Sequence, residues 1–205
     1  MKIHQIVTGM IQENCYLICK DSEALIVDPG AEANKIKNEI ETNKVRPLAI
    51  LLTHAHYDHI GAVEELRTDY AIPVYLDEKE QGWMSDPQLN LSTYAIHEVT
   101  ANPAEFTYSY FENYSIGNFD FYVVPTPGHS PGGVSLIFEK ENVLFSGDAL
   151  FYRSIGRTDL PGSNSQQLVE SIRSQLFALE KDSIIYPGHG PSTTLFNEKE
   201  TNPYV

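Results

Sequence analysis

The chain has 205 residues, 41% of them hydrophobic and 20% charged, which suits one domain of ordinary to large size with a full core. Its 28 acidic and 14 basic residues give a formal charge of −14, which counts against a nucleic-acid partner, because phosphate binding needs a basic patch. No apolar run approaches membrane-span length and the first residues lack a charged lead and a cleavage site, so a cytoplasmic protein with no membrane partner is expected.

Residues 2–8 and 14–20 read as two strands joined by Gly9 to Glu13, and Ala24 to Val27 as a third that ends in Asp28-Pro29-Gly30. Ile36 and Ile40, spaced one helical turn apart among good helix formers, predict a helix over 32–43. Leu48 to Leu52 reads as a buried strand, Ile60 to about Arg67 as a helix, and Pro73 to Leu76 as a short strand. The stretch 77–103 is polar and broken by Gly82, Pro87 and Pro103, yet carries Trp83, Met84, Leu89, Leu91 and Tyr94. It reads either as a packed surface excursion or as a substrate-covering loop, since loops of this length are often functional.

Phe106 to Phe111 alternates weakly. Tyr114–Ile116 and Phe119–Val124 flank Gly117-Asn118, a hairpin signal, and Val134–Phe138 and Val143–Phe145 flank a turn at 139–142. Leu168, Ile172, Leu176 and Leu179 share one face of a helix predicted over 163–179. A strand at 183–186 and a short helix after Thr193 complete the chain. Cys15 and Cys19 stand four apart on one predicted strand, too far apart to bridge, and read as small buried thiols of a reducing compartment.

The chemistry concentrates in Thr53-His54-Ala55-His56-Tyr57-Asp58-His59, which holds three of the seven histidines where a strand hands over to a helix. Side chains alternate along an extended segment, so His54 and His56 point the same way and can reach one cation. Asp58 and His59 diverge as the helix begins and suit a second. Imidazole and carboxylate are ligands that zinc and iron accept. An N-capping aspartate would explain the loop without metals, but capping does not need three histidines. Four further apolar runs end in turn residues and then a ligand or its supporter: Ala24–Val27 before Asp28, Phe121–Val124 before His129, Val143–Phe145 before Asp148, and Ile184–Tyr186 before His189. If these strands end on one rim, the side chains converge. His4 and His97 remain as ordinary polar residues.

The set His54-x-His56-x-Asp58-His59, His129, Asp148 and His189 resembles the metallo-β-lactamase superfamily. Within it the chain is similar to the short bacterial members of the hydroxyacylglutathione hydrolase (glyoxalase II) group, which share the run Gly147-Asp148-Ala149-Leu150-Phe151, the run Gly156 to Gly162, and the ending Pro187-Gly188-His189-Gly190-Pro191. The resemblance covers nearly the whole chain. It implies an α+β fold, the four-layer αββα sandwich with two sheets face to face and helices outside. It also implies a single metallo-hydrolase domain over 1–205. The helical C-terminal substrate domain of larger glyoxalase II enzymes is expected to be absent, since only Gly190 to Val205 follow His189. Position by position, His54, His56 and His129 would hold one metal, Asp58, His59 and His189 the other, and Asp148 would bridge them. Asp28 would steady the ligand loop. Two divalent ions are implied, zinc first, iron or manganese otherwise.

The implied reaction is hydrolysis of a thioester of the S-lactoylglutathione type by a hydroxide bridging two metals, with Asp58 and Asp148 as catalytic carboxylates. Two cations about 3.5–4 Å apart can share a hydroxide and bring the pKa of water to about 7. A thiolate, with a free-thiol pKa of about 8.5, departs without a dedicated acid. The expected partner is a small molecule, a thiol conjugate, whose carboxylate Arg157, Arg153 or Tyr152 could grip. Arg157 reads equally well as a salt-bridge partner of Asp159. The aspartate at 148 separates the chain from histidine-rich true metallo-β-lactamases, which implies that antibiotic hydrolysis is not its main role. The alternatives are a mononuclear iron persulfide dioxygenase using His54, His129 and Asp148, and a lactone or phosphodiester hydrolase on the same site.

Overall fold

A computed structural model describes residues 1–205, which divide into two compact units, Met1–Tyr108 with Ser115–Phe119, and Ser109–Tyr114 with Asp120–Val205. The first unit carries a six-stranded sheet in the order β1 (Lys2–Thr8), β2 (Glu13–Lys20), β3 (Glu23–Val27), β4 (Arg46–Leu51), β5 (Val74–Leu76) and β6 (Phe106–Thr107). β2 and β3 are buried almost throughout, which explains their unbroken apolar runs, whereas β1 at the edge keeps exposed positions. Of the weakly alternating 106–111 stretch, Phe106 and Thr107 form the strand.

Helix α1 (Ala33–Asn43) buries Ala33, Ile36 and Ile40, the face its spacing predicts. Each isoleucine taken from water stabilises the unit by about 1.5–3 kcal/mol. It closes on Lys44 in the left-handed conformation (φ 54°), whose N–H donates back to Glu41 and Ile40 carbonyls. His4 pairs with Glu39 on this helix (2.8 Å). Cys15 and Cys19 are both free and buried in the same core.

The helix expected over 60–67 is two helices, α2 (Tyr57–Ile60) and α3 (Val63–Tyr70). The break has a tertiary cause. The Ala62 N–H donates to the Pro29 carbonyl (2.9 Å), and a Cβ on Gly61 would stand 2.3 Å from the Gly30 carbonyl oxygen. The turn after β3 thus draws the backbone out of helical register at 61–62. Residues 77–103 pack as a 3₁₀ helix over Glu78–Ser85, with Glu80, Trp83 and Met84 buried, and a further 3₁₀ turn at Ser92–Tyr94. The packed reading of this stretch holds for its first half.

The second unit carries, except for Ser115, Ile116 and Phe119, the sheet ordered β14 (Thr193–Thr194), β13 (Ile184–Pro187), β10 (Val143–Gly147), β9 (Val134–Phe138), β8 (Phe119–Pro125) and β7 (Asn113–Ile116). A small hairpin, β11 (Leu150–Phe151) and β12 (Ser154–Ile155), turns on Tyr152-Arg153, with strands too short to show a period in the sequence. The amphipathic segment is α4 (Ser165–Ser171), capped by the Asn164 side chain, followed by a π-helical turn over Ile172–Leu176. Leu168, Ile172 and Leu176 are buried together as their spacing predicts. Helix α5 (Leu195–Thr201) starts on Thr194, whose hydroxyl accepts from the Asn197 N–H. No helix is long and apolar enough to cross a membrane.

Candidate metal centre

In the first unit β3 and β4 run parallel, so Asp28 and the Thr53–His59 segment leave the sheet at the same end. Asp28, at φ 47°, turns its carboxylate onto that segment. Its Oδ1 accepts from the Thr53 N–H (2.7 Å) and its Oδ2 from the Thr53 hydroxyl (2.6 Å), while Oδ2 also faces His59 Nδ1 at 3.1 Å. The single Thr53 hydroxyl proton goes to Asp28, so Thr53 Oγ1 accepts from His54 Nδ1 (3.1 Å). That places the His54 proton on Nδ1 and leaves its Nε2 with a lone pair.

The three imidazoles of this loop are buried and close: His54 and His56 meet edge-on with centroids 4.7 Å apart, and His54 and His59 at 4.0 Å. His59 Nε2 stands 3.5 Å from Asp58 Oδ2.

Two residues that the sequence reading missed hold this loop from behind. The buried Glu80 carboxylate accepts from the Ala55 N–H (2.6 Å), midway between His54 and His56, and the Trp83 ring lies 5.7 Å from His56. Tyr57 N–H donates to the Asn90 carbonyl (2.9 Å). The sequence offers little signal for Glu80, one of three acids in Asp77-Glu78-Lys79-Glu80 ahead of Trp83-Met84. Burial also pushes the Glu13 carboxyl well above its usual range, with its Oε2 accepting from Thr8 Oγ1 (2.7 Å).

In the second unit β8 and β10 are both antiparallel to β9, and β10 is parallel to β13. The three strands therefore point the same way, and His129, Asp148 and His189 follow their ends on one rim. The Gly188 N–H donates to the Gly147 carbonyl (2.9 Å), fastening two of these exits together. Asp148 Oδ2 lies 3.5 Å from His129 Nε2 and 3.6 Å from His189 Nε2. His129 Nδ1 donates to the Arg157 carbonyl (2.8 Å), so its Nε2 too is left with a lone pair. Gly156 makes the approach possible, since a Cβ there would stand 1.8 Å from the Asp148 carbonyl oxygen.

These distances fit metal ligands. Donors about 2.1 Å from a tetrahedral ion lie about 3.4 Å from one another. The pairs Asp58–His59, His129–Asp148 and His189–Asp148 stand at 3.5, 3.5 and 3.6 Å. An imidazole lone pair facing a carboxylate oxygen is repulsive unless a cation lies between them, and a second hydrogen bond on Nδ1 is how metal-binding histidines are held.

The surface residues considered for substrate stand on the second unit. Tyr152 is half exposed in the β11–β12 turn, and Arg153, at φ 53°, gives its N–H to Glu198 Oε2 (2.8 Å). Arg157 makes a paired contact with Asp159, Nε to Oδ1 at 2.7 Å and a terminal nitrogen to Oδ2 at 2.8 Å. That contact holds the Asp159 carboxyl down to about 2.

The profile of the metallo-beta-lactamase superfamily matches residues 8–189. The crystal structure of BLEG-1 B3 metallo-beta-lactamase is similar over 99% of both chains, with 46% identity and a TM-score of 0.95. That of TTHA1623 in a di-iron-bound form matches 98% of this chain and 100% of its own, with 36% identity and a TM-score of 0.86. Hydroxyacylglutathione hydrolase GloC of Haemophilus influenzae is 34% identical over 208 residues, covering all of this chain and 98% of that protein.

Proposed function

The chain belongs to the metallo-β-lactamase superfamily, with its fold, as a metallo-hydrolase, and from that premise we propose that it hydrolyses the thioester of a small-molecule thiol conjugate. In this reading, as the family resemblance implies, His54, His56 and His129 would hold one divalent metal, Asp58, His59 and His189 would hold a second, and Asp148 would serve both. Zinc is the expected ion, and the di-iron form of TTHA1623 makes iron the alternative. When bound, such ions supply a water that ionises near neutral pH and a Lewis acid for the carbonyl oxygen.

The chain's own part is positional. Asp28, through Thr53, and the Arg157 carbonyl keep the Nδ1 protons of His54 and His129 in place so that Nε2 would face a bound ion, Glu80 fixes the backbone between two of the histidines, and Asp58 would orient the attacking water. The departing thiolate needs no acid group, since a thiol is acidic enough to leave as the anion. The observation that carries the hydrolase reading is that the Nε2 atoms of His59, His129 and His189 face carboxylate oxygens at 3.5–3.6 Å, with Nδ1 of His59 facing Asp28 and Nδ1 of His129 held by the Arg157 carbonyl. The choice of thioester is supported by GloC, at 34% identity over its whole length.

A second reading, opening of a β-lactam ring on the same residues, is favoured by the name of the 46%-identical BLEG-1 structure. A panel of thioester, lactone, persulfide and β-lactam substrates, with metal content measured on the same sample, tests both. Thiol release from S-lactoylglutathione or another thioester, lost in His56→Ala and Asp148→Ala variants that stay folded but metal-poor, is the expected outcome. Turnover of a β-lactam alone moves the assignment to the second reading, and unchanged turnover in either variant overturns the residue roles.

A further inference from the structure

Beside the ligand loop, within the first unit, lies an open groove of about 420 Å³ whose wall includes Asp58 and Tyr57. Its other walls come from the β1–β2 turn, with Met10 and Ile11, and from the segment carrying Tyr94 and Ile96. These four side chains are 82%, 50%, 84% and 72% exposed, an unusual gathering of apolar surface for two polar-looking loops. The volume falls in the range of small-molecule sites. The charged residues on its walls, apart from His97, are Glu32 and Asp58, and no lysine or arginine lines it.

We propose that this groove receives an uncharged, apolar acyl chain of the substrate, an assignment that rests on the thioester reading above. Asp58 is at once a proposed metal ligand and a wall of the groove, so a thioester whose carbonyl sits at Asp58 has one of its two arms beside Met10, Ile11, Tyr94 and Ile96. Those walls reward apolar area and, with Glu32 among them and no lysine or arginine, offer an anionic arm no cationic side chain to pair with. The acyl chain therefore enters the groove and a charged thiol carrier stays outside it. A lactoyl group is too small and too polar to use this surface, so the groove points to substrates with longer acyl chains.

Thioesters of one neutral thiol, N-acetylcysteamine, isolate the acyl arm. Hexanoyl is expected to exceed acetyl in kcat/KM by about tenfold or more, since each fully buried methylene is worth roughly fourfold. Succinyl, of similar reach but anionic, is expected to fall below hexanoyl. In Met10→Ser/Ile96→Ser the hexanoyl-to-acetyl ratio should drop to about threefold or less, and a ratio measured within one sample does not depend on its active fraction.

Binding is read separately by calorimetry with the S-hexyl and S-methyl thioethers of the same thiol and the protein as purified. The native protein should bind the hexyl compound at least tenfold more tightly, and the double variant should not. If no thioester is turned over while this binding preference holds, the thioester reading fails and the groove remains an apolar-chain site. Equal affinity for the two thioethers in the native protein, a preference for succinyl, or a double variant that keeps the hexyl preference overturns the proposal.

Discussion

Gly30→Ala puts the positioning of the ligand loop to a quantitative test. A Cβ at this position would stand 1.6 Å from the Asp58 carbonyl oxygen and 2.5 Å from Glu13 Oε2. Ordinary contact begins at 3.4 Å, so the α2 backbone must give way by 1.8 Å (3.4 − 1.6) if Gly30 stays in place. Gly30 has little freedom to move instead, because the preceding Pro29 carbonyl accepts from the Ala62 N–H (2.9 Å) and Asp28 is tied to Thr53. Forcing a side chain into such a site costs about 1–3 kcal/mol. For a chain of this size that corresponds to roughly 2–12 °C in Tm. A displacement above 1 Å at Asp58 and His59 is expected to lower kcat/KM on the order of 100-fold.

The assays are thermal unfolding, metal per chain by elemental analysis, and turnover of the best thioester. Gly82→Ala serves as the internal comparison, since a Cβ there meets nothing within 4 Å, and it should leave metal content and turnover intact. A Gly30→Ala protein with native metal content and native Tm would refute the claim that the turn after β3 sets the place of the ligand helix.

Glu80→Ala strands the buried Ala55 N–H and is expected to destabilise by about 1–3 kcal/mol and to weaken metal binding in a chelator competition, whereas Glu80→Gln, which still offers an oxygen, should recover most of both; equal losses in the two variants would count against the hydrogen bond as the cause. Arg157→Ala removes the guanidinium that holds Asp159 near 2 but not the carbonyl that holds His129, so NMR titration should show Asp159 moving up toward the usual carboxylate range while metal content stays unchanged. The sign follows from the depressed value: the Arg157–Asp159 contribution to stability is present above the ordinary carboxyl pKa, near 3.9, and is lost as pH falls through about 2. Burial pushes the Cys15 thiol well above its usual value, so iodoacetamide at pH 8 should leave Cys15 unmodified in the native protein and alkylate it after denaturation; rapid native labelling, read by mass spectrometry, would contradict the burial.

Much of this protein is written in local pattern. Ile36 and Ile40, Leu168 and Ile172, and the paired strands around Gly117-Asn118 are legible because burial of one face imposes a period that the sequence displays. The ligand-bearing turns are legible for a related reason: strands that run parallel deliver the residues after their ends to one rim, so a repeated strand-then-ligand pattern is itself a geometric statement. Local pattern cannot contain the break at Gly61-Ala62, which exists because a turn thirty residues earlier offers a carbonyl and denies space for a side chain. Nor can it single out Glu80, whose importance lies in one backbone N–H of a distant loop, or the Tyr152-Arg153 hairpin, too short to show a period. Side-chain type and spacing along the chain determine which atoms are available as ligands and which faces are apolar. Which nitrogen of each imidazole keeps its proton, and where the loops leave apolar walls beside Asp58, depend on partners remote in sequence and were decided only when the chain packed.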